Sequence, residues 1–129
     1  MMCLIDLKKA STVSVHFVHS EEIKTDLTAL GLEVIEGSIA DVTTDKELFG
    51  VIASAMQFPD YFGSNWDALD ECLRDMDWLS ADGYLLILRD SAKGWSQNPY
   101  VLGRFVTTWL EASEYWVKEE TPFHLVFVM

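Results

Sequence analysis

Tyr84-Leu85-Leu86-Ile87-Leu88 is an unbroken run of apolar residues. A strand with one wet face alternates apolar and polar side chains. This run does not alternate, so it predicts a central strand covered on both faces, as in a parallel sheet. Downstream, Pro122 precedes Phe123 to Met129, which is again almost wholly apolar and predicts the last strand. Upstream, Leu32 to Ile35 reads as a short strand ended by Glu36-Gly37. Thr12 to Val18, β-branched and alternating in polarity, reads as the first strand.

Helical patterns lie between these strands. Ser20 is placed to cap a short helix with Ile23, Leu27 and Leu30 on one face and Gly31 as its stop. Thr44-Asp45-Lys46-Glu47 has the spacing of a capping box, and Leu48, Phe49, Ile52, Ala55 and Met56 then recur at helical intervals until Phe58-Pro59. Tyr61-Phe62-Gly63 turns the chain, and Ser64 or Asn65 caps a helix running to about Met76. After a loop holding Lys93, Gly94 and Trp95, Asn98-Pro99 opens a helix whose Leu102, Phe105, Val106, Trp109 and Leu110 form one stripe. Such alternation predicts an α/β fold, a small and mostly parallel sheet sandwiched between helices on both faces.

The 129 residues suit a single domain spanning 1–129, and neither repeats nor a linker interrupt them. Nine Lys and Arg against twenty-one Asp and Glu give a net charge of -12. That field repels phosphate backbones and anionic lipid, so neither nucleic acid nor membrane is an expected partner, whereas a basic protein is. Self-association is left open. Cys3 and Cys72 have neither CxxC nor zinc-ligand spacing, and the first residues contain no signal-peptide h-region, so a reduced, cytoplasmic protein is expected. No apolar run approaches the length of a membrane span. GxSxG, P-loop, GxGxxG and HExxH patterns are absent, and His16, His19 and His124 form no ligand cluster and read as structural. Neither an enzyme, a cofactor nor a metal is expected.

The distinctive segment is Phe58 to Trp78. On a helix, Trp66, Leu69, Leu73 and Met76 define the buried stripe, with Cys72 at its border. Asp67, Asp70, Glu71, Arg74 and Asp75 share the opposite side, and Asp67, Glu71 and Asp75 repeat every four residues as a carboxylate ridge. Like charges at that spacing oppose the helix, and Asp75 and Asp77 sit at its negative end. Arg74 relieves only part of this, through Asp70. Stability alone does not select such a pattern, which reads either as a solvated acidic face, as many helices have, or as a surface for a basic partner.

Phe58-Pro59-Asp60-Tyr61-Phe62-Gly63-Ser64-Asn65-Trp66-Asp67-Ala68-Leu69, followed by Glu71-Cys72-Leu73, closely resembles the signature of the barstar family. The resemblance continues from about Glu33 to Met129, and the first thirty or so residues have no counterpart in it. It implies a three-stranded parallel sheet flanked by helices, and an intracellular inhibitor of a ribonuclease that plugs the enzyme's active site with one helix and the loop before it. Carried over by position, Tyr61, Asn65, Trp66, Asp67 and Glu71 match family contact residues, Glu71 standing where the family has an Asp. Glu111 matches a peripheral acid on the last helix. Asp70 replaces a contacting Trp, and Asp75-Met76 replace Gly-Trp, with Trp78 restoring aromatic area if the loop is shifted.

Two other readings share the acidic composition. One is an immunity or interaction module for a partner that is not a ribonuclease, such as an acidic nucleic-acid mimic. A mimic spreads its carboxylates over a long face, whereas an inhibitor concentrates them on one helix beside exposed aromatics such as Tyr61. The other is an enzyme using Asp67, Asp70 and Glu71 as paired acids, which requires a deep carboxylate-lined pocket with raised pKa values.

Overall fold

A computed structural model describes residues 7–19 and 31–129. Within them lie β1 (Val15–Val18), β2 (Glu33–Ser38), α1 (Asp45–Met56), α2 (Trp66–Asp75), β3 (Tyr84–Arg89), α3 (Ser91–Gln97), α4 (Pro99–Lys118) and β4 (Phe123–Val128), with one 3₁₀ turn at Asp77–Leu79. The helix expected after Ser20 lies outside the described residues, as does Cys3.

The strands form one sheet in the order β1-β4-β3-β2, and every neighbouring pair is parallel. β3 and β4 are therefore the interior strands, which is why their sequences can dispense with alternation: Tyr84 to Leu88 and Phe123 to Val128 are buried throughout. The fold is α/β and consistent with the expected three-layer sandwich. The additional amino-terminal strand extends the sheet beyond β4.

Strand geometry divides the core. Tyr84, Leu86, Leu88, Phe123, Leu125 and Phe127 point to one face and meet Leu48, Phe49 and Ile52 of α1, Leu69 and Leu73 of α2, and Leu102, Phe105 and Trp109 of α4. The Trp109 ring stacks on Phe123 at a centroid distance of 4.1 Å. Leu85, Ile87, Val126 and Val128 point to the other face, where Val18 joins them and Leu7, Leu32 and Val34 pack alongside.

On that second face the histidines tie β1 to the sheet. His124 Nε2 lies 2.8 Å from the Lys9 carbonyl oxygen, and His124 Nδ1 lies 3.0 Å from His16 Nε2. A carbonyl only accepts, so His124 carries a proton on Nε2; while its ring is neutral, Nδ1 accepts from His16 Nε2. Burial first, and then the neighbouring His124, lower the His16 pKa to about 4.

Three local expectations need correction. The loop expected around Lys93 to Trp95 is α3. It has no side-chain cap, since Asp90 ahead of it is left-handed at φ 60°, and its seven residues are too few to carry a periodic signal. Gly94 serves close packing there, because a Cβ would come within 2.8 Å of Ile39. β2 continues past Ile35 to Ser38 along β3, with Gly37 leaving room for Val51 of α1. The buried stripe of α4 runs through Ala112 and Trp116, while Leu110 is 37% exposed.

Candidate functional site

The segment from Gln57 to Leu79 turns twice and presents α2 at the surface. Gln57, left-handed at φ 57°, closes α1 by donating its backbone N–H to the Ala53 carbonyl. Phe58 then packs edge-on against Phe62 and Trp78 at 4.9 and 5.7 Å. Trp78 Nε1 donates to the Met56 carbonyl at 3.0 Å. Trp78 therefore anchors the end of α2 to the end of α1, and its half-buried ring is committed to that packing.

Asn65 is the N-cap. Its Oδ1 accepts from the Ala68 backbone N–H at 2.8 Å, satisfying a donor that the first turn leaves open. Ser64 is left-handed at φ 53°, and its carbonyl accepts from Lys46 Nζ at 3.2 Å, which pins the loop to α1. At the other end Met76, left-handed at φ 55°, terminates the helix.

Leu69, Cys72, Leu73 and Met76 are buried and Trp66 is half-buried, so the expected stripe faces the core. Trp66 meets Phe49 edge-on at 5.0 Å, and the Arg104 guanidinium lies 4.7 Å from the indole centroid. The opposite side holds the acids. Asp67 and Glu71 are exposed, and neither carboxylate makes a hydrogen bond or ion pair among the described residues. Asp70 is paired with Arg74 at 3.0 Å. Asp75 accepts from the Tyr61 hydroxyl at 3.4 Å and from the Asp77 backbone N–H at 3.3 Å. Tyr61 is 69% exposed beside them.

Between Asp67 and Asp77 there are five carboxylates and one arginine, and their field shows in neighbouring groups. A side-chain hydrogen bond to Asp75, and then that carboxylate's charge, raise the Asp77 pKa. Burial, followed by Asp75 and Glu71, pushes the Cys72 thiol up; partial desolvation and then Asp75 do the same to the Tyr61 phenol. Cys72 is thus a protonated packing residue and a poor nucleophile.

Two shallow clefts flank α2. One, of about 440 Å³, is lined by Tyr61, Glu71, Cys72, Arg74 and Asp75. The other, of about 230 Å³, lies between α2 and α4 and is lined by Trp66, Asp67, Asp70, Arg104, Thr107, Thr108 and Glu111. The structure thus brings the expected Tyr61, Asn65, Trp66, Asp67, Asp70, Glu71, Arg74 and Asp75 onto one helix and its entry loop, and sets Glu111 across a cleft from Asp67. Arg104 and Thr107 were missed. They share three- and four-residue spacing with Glu111 on α4, but only the packing of α4 on α2 gives that spacing meaning.

A larger cleft of about 560 Å³ between β2 and α1 also carries carboxylates, among them Glu36, Asp41 and Glu47. Glu47 there has its pKa lowered, because Thr43 donates to it from hydroxyl and backbone and Thr44 adds a further bond. It is the acid of the α1 capping box, ionised and occupied, which is the opposite of what acid catalysis requires. Among the described residues no three His, Cys, Asp or Glu side chains converge to hold a metal ion, and no helix is long and apolar enough to cross a membrane.

A family model described as barstar (barnase inhibitor) matches residues 32–128. No curated protein matches the chain.

Proposed function

Because this chain belongs to the barstar family, we propose that it is a protein inhibitor that blocks the active site of a basic ribonuclease or related toxin with α2 and the loop before it. The observation that carries this reading is the state of two acids: Asp67 and Glu71 project from α2, exposed and without a partner among the described residues, next to the exposed Tyr61. A ribonuclease must keep cationic groups where phosphate binds. A protein carboxylate delivered to that place makes the same charge-assisted hydrogen bonds and cannot be cleaved. Inhibition then requires no chemistry from the inhibitor.

The concentration of acids on one helix beside an exposed aromatic favours an active-site plug over a mimic with its charge dispersed along a groove. Tyr61, Trp66, Asp67, Asp70, Glu71, Arg74 and Asp75 form the contact surface, and Asn65 holds the first turn in place while lying at its edge. An interface of about 1,600 Å² in total is expected. The reading places the protein in the cytoplasm, where Cys72 stays reduced.

The test is capture from lysate of the native host with the full chain as bait, followed by an RNA-cleavage assay of the captured protein. The expected result is a basic ribonuclease that is silent in the complex, active once released, and lost when the bait carries Glu71→Ala. Capture that is indifferent to Glu71→Ala and to Asp67→Ala contradicts the reading.

A further inference from the structure

Among the described residues β1 is an edge strand, hydrogen-bonded on one side only. The Ser14 and Val18 carbonyls accept from the Leu125 and Met129 N–H groups at 2.8 Å, and the register sets Val15 beside Leu125 and Phe17 beside Phe127. In a parallel ladder this directs the backbone of Ser14, His16 and Val18 toward β4 and turns the N–H and C=O of Val15 and Phe17 outward. Neither outward residue has a second backbone partner among the described residues. A row of open donors and acceptors is a template for another strand unless charge, proline or a covering element guards it.

β1 and β2, at opposite ends of the sheet, are guarded differently. β2 carries Glu33 and Glu36, so a second copy laid against it would meet its own acids. From Ala10 to Ser20, in a chain with a net charge of -12, there is no Asp, Glu, Lys or Arg. Phe17 is 54% exposed there, although its ring stacks on Phe127 at 5.0 Å and lies 5.8 Å from Trp95. An aromatic ring held by its neighbours, yet left more than half in water beside an open strand edge, is the form an interface anchor takes.

We infer that β1 pairs with β1 of a second copy, antiparallel about a two-fold axis at His16, and so joins two four-stranded sheets into one. The axis makes the contact self-complementary. Val15 of each copy lies opposite Phe17 of the other, and the two exchange both backbone hydrogen bonds. Opposite residues share a face, and Val15 and Phe17 both point to the face that holds Leu125 and Phe127. A β-branched side chain therefore packs on each exposed ring. His16, uncharged at neutral pH, adds no repulsion at the axis. A contact this narrow belongs to the weak class, below about 1,200 Å² in total, so the dimer forms as concentration rises. β1 lies outside the residues 32–128 that the family model matches, and no residue of the α2 surface takes part, so the pairing is independent of the proposed inhibition.

The test is sedimentation equilibrium of the full chain from about 10 μM to about 1 mM, the range in which a weak contact titrates. The weight-average mass is expected to rise from that of one chain toward that of two. Phe17→Lys sets a charge into the edge and is expected to weaken the dimer at least about tenfold. Amide hydrogen exchange supplies a reading that needs no substitution, should Phe17→Lys fail to fold. The outward amides of Val15 and Phe17 are expected to slow as concentration rises, while those of Val34 and Glu36, which face outward on β2, stay unchanged. The mass of one chain at every concentration overturns the inference, whatever the amides do. So does association that Phe17→Lys leaves intact, or that slows the β2 amides in place of those of β1.

Discussion

Glu71 and Asn65 sit six residues apart and answer to opposite demands. Asn65 satisfies an open backbone donor, so Asn65→Ala is expected to lower stability by about 1 kcal/mol, read as an earlier denaturation midpoint at unchanged slope. Glu71 has no hydrogen bond or ion pair among the described residues. Glu71→Ala is therefore expected to leave the midpoint within about 0.5 kcal/mol of the parent while costing at least about 2 kcal/mol of affinity for a ribonuclease partner. The cap was legible as Ser64 or Asn65 ahead of a helical pattern, of which Asn65 takes the place, and the outward projection of Glu71 was legible from the four-residue spacing of the ridge. Arg104 was not, because nothing near it in sequence predicts which ring it will lie on.

At the scale of elements, α2 shows the cost of carrying a binding surface. Asp75 and Asp77 crowd the negative end of the helix, and each is felt by its neighbours. Asp77→Asn is expected to raise the thermal midpoint at neutral pH, an effect that shrinks as salt is added. The pairing of β1 with β4 carries a different dependence. His16 has a pKa of about 4 in the folded chain against an ordinary value of 6.5. The unfolded chain therefore takes up this proton first as the pH falls. The contribution of neutral His16 is complete above 6.5 and is lost progressively down to about 4, a change of about 1 kcal/mol for a ring that keeps part of its hydration. Denaturant melts across that window should show the loss, and His16→Gln should flatten it.

Legibility at this scale followed the strength of local signals. The capping box of α1 and the Asn98-Pro99 start of α4 carry side-chain hydrogen bonds that the sequence announces. α3 has no such cap, and its central Gly94, which reads as loop, is there because Ile39 leaves no room for a side chain. β2 was read short for a similar reason: Glu36-Gly37 looks like a stop, yet backbone pairing with β3 carries the strand through it.

For the whole molecule, the net charge of -12 is a long-range property with a kinetic consequence. Association with a basic partner is expected to be fast at low salt and to slow steeply as ionic strength rises, with the dissociation rate much less affected. The parallel order β1-β4-β3-β2 places the wholly apolar strands inside, a position that the unbroken apolar run of Tyr84 to Leu88 foretold for β3. Asp67 and Glu71 project from α2 with no partner among the described residues, so the account has this charge steer a basic partner toward that helix.

The most direct measurement is the dissociation constant for a basic ribonuclease from the same host, taken in parallel for the unaltered chain, Asp67→Ala and Glu71→Ala at two ionic strengths. The account predicts tight binding that both substitutions weaken and that salt weakens less in the variants than in the parent. Equal affinity across all three chains would contradict it.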